Sequence, residues 1–145
     1  MPPRTQRRRR TAADRDTPPR HIVFIGMGAV GSSMLICLSE LAEREGMPLR
    51  FTVFTAHPDR ARDALFNAEP LFDRIEFVAV PDFTPLFDLA PPYDRWFHGA
   101  SVVINAALPA FNSPTIELAI RLGAHSVDLA SDMYNEETEQ TLAFP

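Results

Sequence analysis

Three glycines that follow a short apolar run constrain this chain more than any other feature of its sequence. Residues 21–31 read His-Ile-Val-Phe-Ile-Gly-Met-Gly-Ala-Val-Gly, which has the G-x-G-x-x-G spacing of a dinucleotide-binding βα turn. In such a turn Gly26 lets the chain leave the strand sharply, Gly28 lets the backbone approach a pyrophosphate, and Gly31 lets the helix pack closely on the sheet. The spacing therefore predicts a strand, a turn and a helix whose free N–H groups face phosphate.

Segments typical of strands and of helices alternate along the rest of the sequence. Apolar and β-branched runs predict five strands, at 21–25, 49–55, 75–80, 101–105 and 124–129. Helices are predicted after each of the first two strands, at 85–90, at 113–122, and around Glu136, Glu137 and Glu139. This order indicates a parallel sheet with helices on both faces, a Rossmann-like doubly wound α/β fold. We expect the chain to be truncated before a second, substrate-binding domain.

Local signals predict where several helices begin, end and face the core. In the first helix, apolar or small residues recur at steps of three and four, which predicts one buried face. They are Gly31, Met34, Leu35, Leu38, Leu41 and Ala42. Cys37 is predicted to be a small core residue of the same helix. Pro58 is suited to open the second helix, which is expected to reach about Ala68; Ser113 is predicted to cap the fourth helix and Gly123 to end it.

Charge divides the chain near residue 20. Residues 1–20 hold seven arginines and two aspartates, and we expect them to form a disordered tail ahead of a binding domain at 21–145. The remaining residues carry a net charge of −10, which argues against nucleic acid as a partner. The absence of lysine excludes a Schiff-base lysine and the Tyr-x-x-x-Lys dyad of short-chain dehydrogenases. The four histidines have no short ligand spacing, so no metal site is predicted.

The uncharged stretch at 22–39 has two interpretations. A basic head before such a stretch is compatible with a signal peptide or a short membrane anchor. The glycines at fingerprint spacing and the charged helix end that follows favour a soluble, cytoplasmic domain with no membrane partner. The single cysteine permits no internal disulfide.

The end of the second strand bears on the choice of cofactor. NAD-binding domains usually have an Asp or Glu there, which binds the ribose 2′-hydroxyl, whereas this chain has Thr55 and Ala56. His57 and Arg60 follow closely, and cations suit a 2′-phosphate. The sequence therefore favours NADP over NAD. Arg62, two residues further on, is expected to be a solvated helix residue.

The ends of the other strands supply further candidates. Asp82 can contact the adenine or cap a turn, and both interpretations stay open. Asn105 and the small residues after it are expected to contact the cofactor near the nicotinamide ribose. Asp128, Ser131 and Asp132 follow the fifth strand, where they can serve a substrate or cap a turn. The predicted cofactor-binding residues are Gly26, Met27, Gly28, Ala29, Val30, Gly31, Thr55, His57, Arg60, Asp82, Asn105, Ala106 and Ala107.

Three segments carry a resemblance to a known family. They are Ile-Gly-Met-Gly-Ala-Val-Gly at 25–31, Val-Ile-Asn-Ala-Ala at 103–107 and Ala-Ile-Arg-Leu-Gly-Ala-His-Ser-Val-Asp-Leu-Ala at 119–130. Over residues 21–135 the chain resembles the N-terminal cofactor domain of the saccharopine dehydrogenase-like proteins, which include homospermidine synthase and carboxynorspermidine-type enzymes. The resemblance implies NAD(P)-dependent oxidoreduction at a carbon–nitrogen bond, in which an imine between an amine and a carbonyl compound is formed or reduced. One departure is Ala56, where the family often has an arginine.

The resemblance also sets expectations about partners. The family's substrate-binding and proton-transfer residues lie mostly in a second domain, so we expect this chain to bind NADP or NAD with little turnover by itself. We then expect an amine or carbonyl substrate to bind with the help of that second domain. Whether the protein forms a homodimer stays open. Two other functions stay open as well, a non-enzymatic NAD(P) sensor and an S-adenosylmethionine-dependent methyltransferase. Both usually have an acid after the second strand, which is missing here.

Overall fold

Five parallel strands form the centre of the molecule. The computed structural model describes residues 18–129 and the backbone of 134–135 and 140–141; of 66, 67, 69 and 70 it describes only the backbone. The strands are β1 (Arg20–Ile25), β2 (Leu49–Thr55), β3 (Ile75–Ala79), β4 (Ala100–Asn105) and β5 (His125–Asp128), in the order β3-β2-β1-β4-β5. Two short antiparallel strands, β6 (Tyr134–Asn135) and β7 (Gln140–Thr141), form a separate pair.

Helices connect the strands. The α-helices are α1 (Ala29–Glu45), α2 (Pro58–Asp63), α3 (Thr84–Phe87) and α4 (Asn112–Leu122). Segments of 3₁₀-helix lie at Phe66–Arg74, which a kink at Ala68 divides, at Asp94–Phe97 and at Pro109–Phe111. This arrangement confirms the predicted Rossmann-like α/β fold. No helix of the described residues is long and apolar enough to cross a membrane.

The strand order creates a topological switch point at one edge of the sheet. The chain runs outward from the central β1 to β2 and β3, then returns to β4 on the other side of β1. Loops after β1 and β4 therefore leave the sheet in opposite directions at the carboxyl ends of two neighbouring strands. Open α/β sheets bind their ligands at such a switch point. The predicted glycine turn follows β1 and so lies at this position.

The sheet is buried on both faces by two apolar clusters. Successive side chains of β1 alternate between them: Ile22 and Phe24 pack with α1, whereas Val23 and Ile25 pack with α4 and the segment at 83–97. All four side chains are 6% exposed or less, which explains why the run carries no polar residue after His21. The rigid, doubly covered strand fixes the place where the glycine turn begins.

The buried face of α1 agrees with the prediction except at two residues. Gly31, Leu35 and Ala42 are buried, and Met34 and Leu38 pack against the same apolar cluster. Cys37 is exposed rather than a core residue, and Leu41 is 41% exposed. Ser32 and Ser39 are buried as well. The Ser39 hydroxyl donates to the Leu35 carbonyl at 2.9 Å, so its burial leaves no polar group unsatisfied.

The second helix is shorter than predicted. It ends at Asp63 and is followed by the 3₁₀ segment, inside which Ala68 has non-helical dihedral angles (φ −121°, ψ 23°). Pro70 also prevents a regular α-helix from continuing through this segment, because proline has no N–H to donate to the carbonyl four residues earlier. Leu65 and Ala68 still reach the core, so the segment covers β2 and β3 without a regular helix.

Other boundaries also shift. Ser113 is not the cap of α4, because the helix begins at Asn112, directly after a 3₁₀ turn opened by Pro109. Gly123 ends α4 with φ +65°, as predicted. The helix predicted at 85–90 is the shorter α3, and the loop predicted after it contains the 3₁₀ turn at Asp94–Phe97. The helix predicted around 136–139 lies outside the described residues, and strand ends agree to one residue.

Candidate dinucleotide-binding site

The turn after β1 has the geometry that the glycine spacing predicts. Gly26 has φ +84°, a conformation that L side chains rarely adopt, and its N–H donates to the Phe54 carbonyl at 2.8 Å. Gly28 stands just before the first turn of α1, and its carbonyl accepts the first bond of that helix from Ser32 N–H at 2.9 Å. The chain thus turns from strand to helix within three residues.

Two of the three glycines lie where the β4 loop packs closely on them. A Cβ on Gly26 would lie 2.7 Å from the Ala107 Cβ and 2.9 Å from its Cα. A Cβ on Gly31 would lie 3.0 Å from the Ala106 Cβ. The loop after β4 therefore touches both ends of the glycine turn, and Gly31 allows the close approach of α1 that its spacing predicts.

Gly28 is different, because the protein itself does not require a glycine there. Its φ of −115° is open to any residue, and a Cβ on it would meet no heavy atom of the described residues within 4 Å. The residue is exposed, and so are Ala29 and Val30 beside it, while Met27 is half-buried. Gly28 is also the N-cap of α1, a position that favours glycine over alanine. A group that approaches the backbone from outside is a second physical reason for glycine here, and a pyrophosphate fits it.

The start of α1 is suited to a negatively charged ligand. The helix has 17 residues, its first turn contains no acidic residue, and no side chain caps its N–H groups. Free N–H groups and the positive end of the helix dipole both attract phosphate. With the open space at Gly28, these features suit a phosphate group of a dinucleotide.

The end of β2 has no acidic side chain, as the sequence indicates. Thr55 is buried and its Oγ1 accepts from the His57 N–H at 3.2 Å, so the threonine shapes the corner. His57 and Arg60 are exposed there, and the Arg60 guanidinium makes no hydrogen bond or ion pair with other described residues. Arg62 is an exposed helix residue, as expected, and its guanidinium carbon lies 5.0 Å from the centroid of the Phe77 ring.

Asp82 caps the turn after β3. Its Oδ1 accepts from the Thr84 N–H at 2.9 Å, and this hydrogen bond lowers the pKa of the Asp82 carboxyl. The turn-cap interpretation is thereby confirmed. Contact with adenine stays a prediction, which the exposure of this carboxylate permits.

Asn105, at the end of β4, is fully buried. Its amide hydrogen-bonds within the loop that follows, where Asn112 is one partner. Sequence reasoning missed Asn112; its signal is a second amide side chain seven residues after the first, at the start of the next helix. Asp128 is exposed at the end of β5, opposite Asn105 in the strand register. Ser131 and Asp132 lie outside the described residues.

Comparison with known proteins decides the family. A family model described as the saccharopine dehydrogenase NADP binding domain matches residues 22–144. The chain belongs to this family. Membership confirms the resemblance seen in the sequence and the prediction of an NAD(P) cofactor, and it argues against the methyltransferase alternative. This is an NADP-binding domain of a dehydrogenase-type family, and its glycine turn lies where such domains hold their cofactor.

Other comparisons are more distant. Among solved structures, the domain is similar to shikimate dehydrogenase of Mycobacterium tuberculosis, with 14% sequence identity and a TM-score of 0.48. The similarity covers 79% of this chain and 48% of that one, so the domain spans about half the length of the shikimate dehydrogenase. No curated protein matches.

Proposed function

We propose that this domain is the cofactor-binding part of an NADP-dependent oxidoreductase that acts on carbon–nitrogen bonds. The observation that carries cofactor binding is the open space in front of Gly28 at the uncapped start of α1. The choice of bond rests on the family, whose members form or reduce an imine between an amine and a carbonyl compound. The bound cofactor supplies the hydride, while the residues of this chain bind and orient it.

The preference for NADP rests on the corner after β2. No carboxylate is present at Thr55 or Ala56 to hold a ribose 2′-hydroxyl or to repel a 2′-phosphate. The exposed Arg60 guanidinium has no partner among the described residues and is free to bind that phosphate. His57, three residues earlier in the chain and also exposed, is proposed as a second donor.

Titration with NADPH and NADH, followed by the fluorescence of the reduced nicotinamide, tests this proposal. We expect NADPH to bind at least about tenfold more tightly than NADH, and Arg60→Gln to remove most of that difference. Arg62→Gln is the matched control, because Arg62 lies on the same helix but packs on Phe77. Equal affinity for both cofactors, or an equal effect of the two variants, would overturn the assignment of Arg60.

Substrate chemistry is proposed to need residues outside this chain. We place the binding domain at 21–145, with 1–20 as a tail, and expect an amine–carbonyl pair to be turned over only with a second domain. Steady NADPH consumption by the 145-residue chain with such a pair would overturn that division of labour. Removal of residues 1–17 should leave the NADPH affinity unchanged. We also infer a cytoplasmic protein without a nucleic acid or membrane partner, which cell fractionation tests.

A further inference from the structure

Asn105 is an unusual residue to bury at a cofactor edge. It is the last residue of β4, and it is 0% exposed although its amide is strongly polar. A buried amide is destabilising unless its hydrogen-bonding groups find partners. The hydrogen bonds that the Asn105 side chain makes therefore indicate its role.

Both amide hydrogens of Asn105 are used inside the loop that follows. The Nδ2 donates to the Leu108 carbonyl at 2.8 Å and to Asn112 Oδ1 at 2.5 Å. The Oδ1 accepts from the Ala107 N–H at 3.1 Å. A side-chain amide has two donor hydrogens, so none is left for a ligand.

The loop that Asn105 organises is the one that packs on the glycine turn. Ala107 meets Gly26 so closely that a Cβ there would lie 2.7 Å from the Ala107 Cβ. Ala106 N–H donates to the Ile25 carbonyl at 2.9 Å, and its Cβ faces Gly31. The position of the turn therefore depends on the position of Ala106 and Ala107.

We propose that Asn105 is a positioning residue of the cofactor site, which holds Ala106 and Ala107 against Gly26 and Gly31 and so fixes the turn that cradles the pyrophosphate. It acts through the loop, in place of the direct contact with the nicotinamide ribose that its position suggests. The inference rests on the proposed function, because it requires the glycine turn to bind the dinucleotide.

The affinities of the Asn105→Ala variant for three ligands distinguish positioning of the loop from direct contact with the nicotinamide ribose. NADP⁺ has all parts of the cofactor, 2′-phospho-ADP keeps the pyrophosphate but lacks the nicotinamide and its ribose, and adenosine 2′,5′-bisphosphate keeps only one phosphate of the pyrophosphate. We expect the variant to bind the first two about tenfold more weakly, to the same degree, and the third within about twofold of the unaltered chain. Thr52→Val is the control, because it removes a buried hydrogen bond, between Thr52 Oγ1 and His21 Nε2, three residues before the end of β2. Its affinity for all three ligands should be unchanged.

A second variant keeps the test informative if Asn105→Ala fails to fold. Asn105→Asp retains the acceptor for the Ala107 N–H but loses both donors, so at about pH 8 it should also weaken NADP⁺ and 2′-phospho-ADP binding alike. Because burial at this position disfavours the charged carboxylate, the introduced carboxyl should take up a proton near pH 5 and donate through its one hydrogen. The affinity of the variant relative to the unaltered chain should then recover.

Several outcomes would overturn the inference. Weaker binding of NADP⁺ alone would mean direct contact with the nicotinamide half, and equal weakening of all three ligands would mean a general loss of structure. An Asn105→Ala variant that binds normally would remove the inference but leave the proposed function intact. Failure of the unaltered chain to bind NADP⁺ would overturn both.

Discussion

The clearest prediction separates the two glycines at the start of the turn. Gly26 is held by the fold itself, since its φ is +84° and the Ala107 backbone packs on it. Gly28 is free in both respects within the described residues, with an ordinary φ and no atom near its missing Cβ. Alanine at each position should therefore damage different properties of the same loop.

Gly26→Ala should cost stability. An L residue in the left-handed region costs about 1–2 kcal/mol, and forced overpacking costs about 1–3 kcal/mol more. The near neighbours include Ala107 backbone atoms at 2.9 and 3.0 Å, which no change of rotamer can move. Alanine also restricts the unfolded chain more than glycine does, which offsets roughly 0.4–1 kcal/mol of this loss. The free energy of unfolding should thus fall by about 1–4 kcal/mol, a large part of the total for a domain of this size.

Gly28→Ala should leave the fold almost unchanged. Alanine is a poorer helix-capping residue than glycine by some tenths of a kcal/mol, roughly 0.5, and this is offset by its stiffer unfolded chain. The added methyl group lies in the space assigned to the pyrophosphate, so NADPH affinity should fall at least about tenfold, or ~1.4 kcal/mol.

Urea unfolding and NADPH titration measure the two effects on the same samples. The only tryptophan, Trp96, reports unfolding, because its ring packs edge-on to Phe54 in the described fold and its Nε1 donates to Glu76. A Gly28→Ala variant that binds NADPH normally would remove the argument from open space. A Gly26→Ala variant as stable as the unaltered chain would show that the turn does not pack on Ala107.

Two further predictions concern buried polar groups. Burial, with a smaller effect from Arg50, lowers the pKa of His21 from its ordinary value of 6.5, so the unfolded chain binds the extra proton first and stability should fall as pH drops below 6.5. Denaturant unfolding should show this slope for the unaltered chain and for His125→Gln, which alters an exposed histidine, but not for His21→Gln. Thr115 Oγ1 has no hydrogen-bond partner among the described residues, so Thr115→Val should raise the free energy of unfolding by about 1 kcal/mol. A loss of stability there would mean that the hydroxyl has a partner.

Elements with strong local signals could be predicted from the sequence. The bounds of β2 agree to the residue, and Gly123 ends α4 as predicted, because an apolar run and a C-terminal glycine act locally. The 3₁₀ turn at Asp94–Phe97 could not be predicted in this way. It brings Phe97 onto Phe54 with ring centroids 5.0 Å apart, a contact between distant parts of the chain.

The candidate site also has a part that local sequence signals predict and a part that depends on contacts between separate segments of the chain. The glycine spacing predicts where the cofactor lies, because each glycine responds to a local geometric need. The role of Asn105 could not be read from its position, since whether its amide faces a ligand or the loop depends on Asn112 and the start of α4. Only the structure shows that both amide hydrogens of Asn105 are already donated to other residues of the chain.

The face of α1 shows why hydrophobicity alone misplaced two residues. A Cβ on Gly31 would lie 3.0 Å from the Ala106 Cβ, so the start of α1 runs close to the β4 loop. Leu35, Ser39 and Ala42 are buried on one face of the helix, which therefore combines one large apolar side chain with small ones. Leu41 is 41% exposed although it is more apolar than Ser39. Apolar character alone therefore does not decide which residues of α1 are buried, because the course of the helix, which begins at the glycine turn beside the β4 loop, contributes as well.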